Sequence, residues 1–265
     1  MKPSHAKMLQ NADLIFWVGE DLENFLEKPL NSIAKKAEKI ELIEIKGLNK
    51  LEFRERNIFE EHDDHGHDKH KEHAHKKDKH KEHAHKEDKH DDHQEHAHGE
   101  HDPHIWLDPM NAKVILNEMA EHLIENDAKN ESKYKSNLKK ALKDIDKLNA
   151  DVKAELSKST ASIVFHDAYQ YFEERYDVNI LGAFTVNTDV MPGAEQLAEI
   201  REIIEHDNVT CVFSEPQFNP DIIKAVAKDM NIKTGIVDPL GATLNSGKDL
   251  YFDLINNMAA SFKKC

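Results

Sequence analysis

Long apolar runs are missing from this 265-residue chain. A helix that spans a bilayer needs about 18 or more consecutive apolar residues. The longest candidate here, Leu14 to Val18, has the length of a buried strand. No export leader is visible either, because Met1-Lys-Pro-Ser4 runs directly into a short helix with no apolar core before it. That leaves a cytosolic chain, or one whose N-terminus is missing. Cysteine is nearly absent, with only Cys211 and Cys265. They are either unrelated thiols or the ends of a bridge clipping a C-terminal helix to a core strand, worth about 4 kcal/mol in the chain-entropy picture. A small, even count suits an oxidising compartment. Basic excess is lacking too: the formal charge is −15 with histidine neutral, which argues against nucleic acid as a partner.

What the chain has in abundance is histidine, concentrated in one place. Fourteen of its 19 histidines lie between positions 62 and 101: His62, His65, His67, His70, His73, His75, His80, His83, His85, His90, His93, His96, His98 and His101. Lys, Asp, Glu and Ala fill the gaps, and part of the segment repeats every ten residues, from Asp68 to Lys76 and from Asp78 to Lys86. Such a composition cannot bury enough apolar surface to offset the entropy of ordering, so a disordered surface loop is expected. Neutral imidazole is the commonest biological ligand for zinc. The segment reads as a weak, multi-site sponge for zinc, copper or nickel, against the plainer alternative of a solubilising linker. It is also sensitive to protons, since imidazoles titrate near pH ~6.5 and acid should release their metal.

Around this insertion the pattern is that of an α/β protein. A short helix from Ser4 to Gln10 leads to the strand Leu14–Val18. A helix follows over Asp21–Ala37, interrupted near Pro29, and then a strand over Lys39–Ile45. Helices are expected over Asn111–Glu125 and Glu131–Ser157. In the second, Tyr134, Leu138, Leu142, Ile145, Leu148, Val152 and Leu156 mark one apolar stripe, on a helix roughly 40 Å long. Four strands then alternate with helices: Ala161–Phe165, Ile180–Val186, Thr210–Ser214 and Lys233–Val237. Alternation of this kind predicts parallel sheets with their strand C-terminal ends on one edge. The expected organisation is a first α/β lobe over 1–110 that contains the loop 62–101, connecting helices over 111–158, and a second α/β lobe over 159–265.

Ligands of open α/β sheets bind beyond the carboxyl ends of the strands. Metal-capable side chains stand at three places of this sort. His104 lies at the exit from the His-rich segment, His166 follows the strand Ile163-Val-Phe165, and Asp238 follows Gly235-Ile-Val237. Two imidazoles and one carboxylate suit Zn²⁺. Taken singly, each has a plainer reading: a satisfied histidine after a strand, a turn-capping aspartate, the last member of the loop. Glu215 reads as a polar anchor of the following turn rather than a ligand. His5, His122 and His206 fall on helical faces expected to be solvated, and Trp17 and Trp106 read as core or lobe-interface residues.

Several stretches together resemble the periplasmic zinc-binding components of ABC importers, in the metal-specific cluster of solute-binding proteins. These are Lys2-Pro-Ser4 with Leu9–Glu20, His104-Ile-Trp-Leu-Asp-Pro109, Phe165-His-Asp-Ala-Tyr169, Phe213-Ser-Glu-Pro-Gln-Phe218 and Asp238-Pro-Leu-Gly241. The resemblance covers the whole chain outside the loop. It implies two α/β lobes joined by a long, rigid helix, with zinc held between them by His104, His166 and Asp238. It also implies a disulfide between Cys211 and Cys265. Manganese members of the family carry Glu where this chain has His166, and an imidazole there favours zinc over the harder ion. Family members carry a further histidine just before the Lys/Arg-Pro-Ser stretch, so the chain reads as N-terminally truncated, with its first lobe incomplete and three protein ligands. The implied partner is an ABC permease in the inner membrane, and the complete protein is expected to be a periplasmic monomer. Two other readings share the chemistry. A zinc hydrolase would use the open coordination position, but there is no His-Glu-x-x-His pair and no separate general base. A periplasmic zinc buffer would need no permease.

Overall fold

The computed structural model describes residues 1–59, 101–156, 160–188 and 190–265. These described residues belong to one compact unit. Thirteen of the histidines of the expected sponge, His62 to His98, lie outside the described residues. His101 does not: its backbone bridges antiparallel to Glu52, so the loop expected to run to 101 has already ended there.

The first half builds a small parallel sheet. Helix α1 (Pro3–Asn11) has Pro3 in its first turn, where a missing N–H costs nothing. Strand β1 (Leu14–Trp17) pairs in parallel with β2 (Glu38–Glu41), across helix α2 (Glu20–Ser32). The break expected at Pro29 falls instead at Glu23, where the backbone leaves helical geometry and the carboxylate turns back to accept from Val18 N at 2.6 Å. Strand β2 is shorter than the run to Ile45. Its buried residues Ile40, Ile43 and Ile45 are not spaced by two, and residues Leu42–Glu44 coil into a 3₁₀ turn.

Helices α3 (Pro109–Asn126) and α4 (Glu131–Glu155) lie against each other, and α4 also packs on the C-terminal helix. The stripe on α4 is real but uneven: Ile145, Leu148 and Val152 are buried, while Tyr134, Leu138 and Leu142 are only half-buried.

The second sheet has the order β4-β3-β5-β6, all parallel, from β3 (Ser162–His166), β4 (Ile180–Thr185), β5 (Cys211–Ser214) and β6 (Lys233–Ile236). Helices α5 (Gln170–Tyr176), α6 (Ala194–His206), α7 (Asp221–Met230) and α8 (Leu250–Lys264) make the connections and flanks. Both faces are covered. Phe165, Phe184, Ile200 and Val212 pack on one side, and Phe172, Phe213, Met258 and Phe262 on the other. Continuous burial of β3 and β4 is what a sheet covered on both faces demands. The Cys211–Cys265 disulfide, with its Cα atoms 5.6 Å apart and 54 positions separating them, ties the end of α8 to β5.

The segment before the His-rich insertion belongs with this second sheet. Ile58 bridges antiparallel to Gly182 on the free side of β4, Phe59 N donates to Leu181 O, and Ala183 N to Asn57 O. Gly182 permits the approach, since a Cβ there would meet Asn57 O at 2.6 Å. Among the described residues no helix is long and apolar enough to cross a membrane.

Candidate metal centre

His166 ends β3, the second strand of the larger sheet, and His104 sits in the turn just before α3. The two rings approach to 5.4 Å between centroids. This is the heart of the site, and each ring is held from behind. His104 Nδ1 lies 2.6 Å from Asp102 Oδ1, which also accepts from His104 N at 2.9 Å. His166 Nδ1 lies 2.7 Å from Glu215 Oε1, beyond the end of β5. Both carboxylate side chains are fully shielded from solvent. A carboxylate without a proton only accepts, so each contact calls for hydrogen on Nδ1, and a neutral imidazole in that tautomer has its lone pair on Nε2.

The turn bearing His104 is gripped by α5. Tyr171 donates its hydroxyl to Asp102 O at 2.8 Å, and Gln170 Nε2 lies 3.2 Å from Asp102 Oδ2. Arg175 makes a two-pronged pair with Asp108 at 2.7 and 2.6 Å, while Asp108 caps α3 through Met110 N. Further back, Arg54 bridges Asp167 at 2.9 Å and Glu173 at 3.0 Å and lies over the Phe59 ring. Burial pushes the Asp167 carboxyl up to about 6 and that of Glu173 up to about 7, with Arg54 partly opposing each.

Asp238 follows β6 and is half-buried. Its Oδ1 accepts from Gln217 Nε2 at 2.7 Å and Leu240 N at 3.2 Å, and its Oδ2 accepts from Thr243 N at 3.3 Å. Gly241, at φ +66°, makes the left-handed turn that returns the chain to Thr243. Next to Asp238, Pro239 O accepts from Trp106 Nε1 at 2.9 Å, two residues past His104. As the side chains stand, no three His, Cys, Asp or Glu residues among those described are arranged to hold a metal together. The fold thus brings His104 and His166 together and places Asp238 on the neighbouring turn with its oxygens engaged elsewhere.

Asp102 and Glu215 are the residues sequence reasoning missed or underrated. Glu215 has become the partner of His166 as well as a turn residue, and the Ser-Glu-Pro break after a strand was its only signal. Asp102 is hidden in sequence by the acidic residues that precede it. His122 is corrected outright. It is not on a solvated face but mostly buried, with Nδ1 2.9 Å from Glu38 and Nε2 3.3 Å from Glu118, joining α3 to β2. Trp17 is buried in the first lobe, and Trp106 sits between the two halves of the site.

The arrangement is an α/β frame with one imidazole at the end of β3, a second in the turn before α3 and a carboxylate on the turn after β6. Residues 1–265 match the family model described as the zinc-uptake complex component A, periplasmic, and the chain belongs to that family of solute-binding transport proteins. A high-affinity zinc uptake system protein ZnuA of Brucella abortus (strain 2308) is 42% identical over 267 residues, spanning 100% of this chain and 80% of that protein. A zinc-bound ZnuA crystal structure with residues 138–173 deleted superposes with a TM-score of 0.72 at 21% identity, covering 99% of this chain and 82% of its own. A manganese-bound periplasmic metal-binding protein from Candidatus Liberibacter asiaticus also superposes at 0.72, with 17% identity, over 100% of this chain and 84% of its own. The frame is common to proteins solved with either metal.

Proposed function

We propose that the protein captures one Zn²⁺ in the periplasm between its two lobes, 1–110 and 159–265, and delivers it to an ABC permease in the inner membrane. His104 and His166 are the first ligands and Asp238 the third. The observation that carries this reading is the approach of the two rings to 5.4 Å with both Nδ1 atoms occupied, which leaves two Nε2 lone pairs for one ion. Borderline nitrogen donors with one carboxylate suit zinc. Asp238 completes the set by exchanging its bonds to Gln217 and Thr243 for the ion, which a half-exposed side chain on a glycine-hinged turn can do. The ion is cargo, so an exchangeable carboxylate serves release as well as capture. The histidines from His62 to His98 gather zinc and pass it inward by ligand exchange, or sense its excess. The protein acts as a monomer.

Isothermal titration of the full chain against its His104→Ala, His166→Ala and Asp238→Ala variants tests the reading. The tightest zinc site should disappear with either imidazole and weaken with the carboxylate. Persistence of an unchanged tightest site in the triple variant would sink it. Deleting Asp63 to Glu100 should remove the weak zinc equivalents and spare the tight one.

A further inference from the structure

Two carboxylates do for the two halves of this site the same job from opposite sides. Asp102 holds His104 and Glu215 holds His166, each through Nδ1 and each also through the backbone N–H of the histidine it serves. Neither carboxylate is exposed, and neither has a cation as partner among the described contacts. The second lies in the drier surroundings. Glu215 Oε2 is shut off from solvent with the fully buried Tyr169 hydroxyl beside it. Burying a carboxylate among neutral partners is costly, and an apolar residue of similar volume would pack there without that cost. Packing alone does not account for Glu215.

We propose that Asp102 and Glu215 are positioning residues that select the metal. By holding the proton on Nδ1 they fix both rings in the one tautomer whose Nε2 can ligate, and this rigid nitrogen pair sets the preference for Zn²⁺ over Mn²⁺. The inference rests on His104 and His166 being ligands. Asp238 cannot supply the preference, because carboxylate oxygen suits the harder ion equally well and its atoms are held at a half-exposed turn. Outer partners of ligating histidines ordinarily change metal affinity 10- to 100-fold when removed. The frame itself carries no preference, since similar folds have been solved with either ion.

Glu215→Leu is the informative change. It keeps the volume of the buried side chain but removes the oxygen that accepts from both Nδ1 and the backbone N–H, which frees the ring to place its proton on Nε2 and block the ligating atom. Asp102→Ala removes the corresponding acceptor from His104. Each variant of the full chain is titrated separately with Zn²⁺ and with Mn²⁺. The imidazole tautomers of the metal-free protein are read by ¹⁵N NMR, and thermal melts report folding. Wild type should show both rings protonated on Nδ1. Each variant should still unfold cooperatively, populate the other tautomer at one ring, and lose about tenfold in zinc affinity with manganese affinity changed less than threefold. Zinc affinity within twofold of wild type and an unchanged tautomer in both variants overturn the inference. So does an equal loss for both metals, because a merely structural role predicts no discrimination. His104→Ala and His166→Ala run alongside: if they too leave the tight site intact, the proposed site is wrong, whereas if only they abolish it, the failure belongs to the positioning role alone.

Discussion

The two sheets of this protein are built to different standards. The larger has four strands with apolar layers on both faces, and β3 and β4 are buried almost throughout. The smaller has two strands, and in β1 only Trp17 is fully buried, packed with Leu30, Ala34 and Ala37 in a minor cluster. Two strands alone are marginal in water, so the first sheet leans on α3 beside it. The site does not share this weakness. His104 belongs in sequence to the first half, yet its turn is held by Gln170, Tyr171 and Arg175, all on α5 of the second. The strap of residues 49–59 is likewise bonded along β4 and α5. Both imidazoles are therefore positioned by the better-built lobe, and the zinc site we propose should be insulated from fluctuations of β1 and β2.

The largest effect that would break this comparison is a cavity in the second core. Phe213 is fully buried between Phe262 and the backbone of Gly235. Phe213→Ala should cost about 4 kcal/mol and lower the denaturant midpoint of the whole protein. Leu30→Ala, in the minor cluster, should cost about 2 kcal/mol. It should speed hydrogen exchange in β1 and β2 while leaving amides of β3 and zinc affinity unchanged. If Leu30→Ala weakens zinc as much as it weakens the first sheet, the insulation described above is absent.

Reducing the disulfide sharpens the same contrast from the other side. The bridge spans 54 positions wholly within the second lobe, and its loss should cost up to about 4 kcal/mol. Equilibrium unfolding with and without reductant measures it. Arg175→Ala should come next, at about 2 kcal/mol. It leaves the buried Asp108 without its cation, and the partial exposure of Arg175 reduces the penalty usual for breaking a buried pair. Because Asp108 caps α3 four residues past His104, this variant should also weaken zinc several-fold by titration.

The sequence announced the strands and helices of the second lobe well, because long buried runs and alternating helices leave few other readings. His104, His166 and Asp238 were visible as candidates in the sequence; His166 does end a strand and His104 lies beside it, in a turn rather than at a strand end, while Asp238 stays on its own turn. Their supports were not visible. Glu215 stands 49 positions from His166, and no local period links such a pair; Asp102 is only two positions from His104 but follows a run of acidic residues that hides it. The kink at Glu23 and the burial of His122 escaped for a related reason. Both are set by where a charged side chain finds a partner on another element, which helical periodicity does not encode.

The smallest expected effect concerns the strap. Glu173 is gripped by Arg54 yet so far buried that its carboxyl rises from 4.5 to about 7. A raised carboxyl means that the folded protein keeps a proton which the unfolded chain has already lost between those values. The unfolded state then binds fewer protons, and stability falls as pH rises through that window. The contribution is fully present below about pH 4.5, is lost by about pH 7, and stays flat beyond. Zinc binding runs the other way, since acid protonates the ligands that the ion needs. The metal-free protein should therefore lose melting temperature from this group over the range in which the zinc-loaded protein gains it. Glu173→Gln removes this titration while keeping one bond to Arg54 and leaves that of Asp167, whose carboxyl rises to about 6, so the metal-free slope should shrink, most above pH 6, and the zinc-dependent slope persist. If the slope is unchanged in the variant, the strap is held without a proton at Glu173, and the second lobe's grip on residues 49–59 rests on the Arg54 ion pairs and the backbone bridge at Gly182.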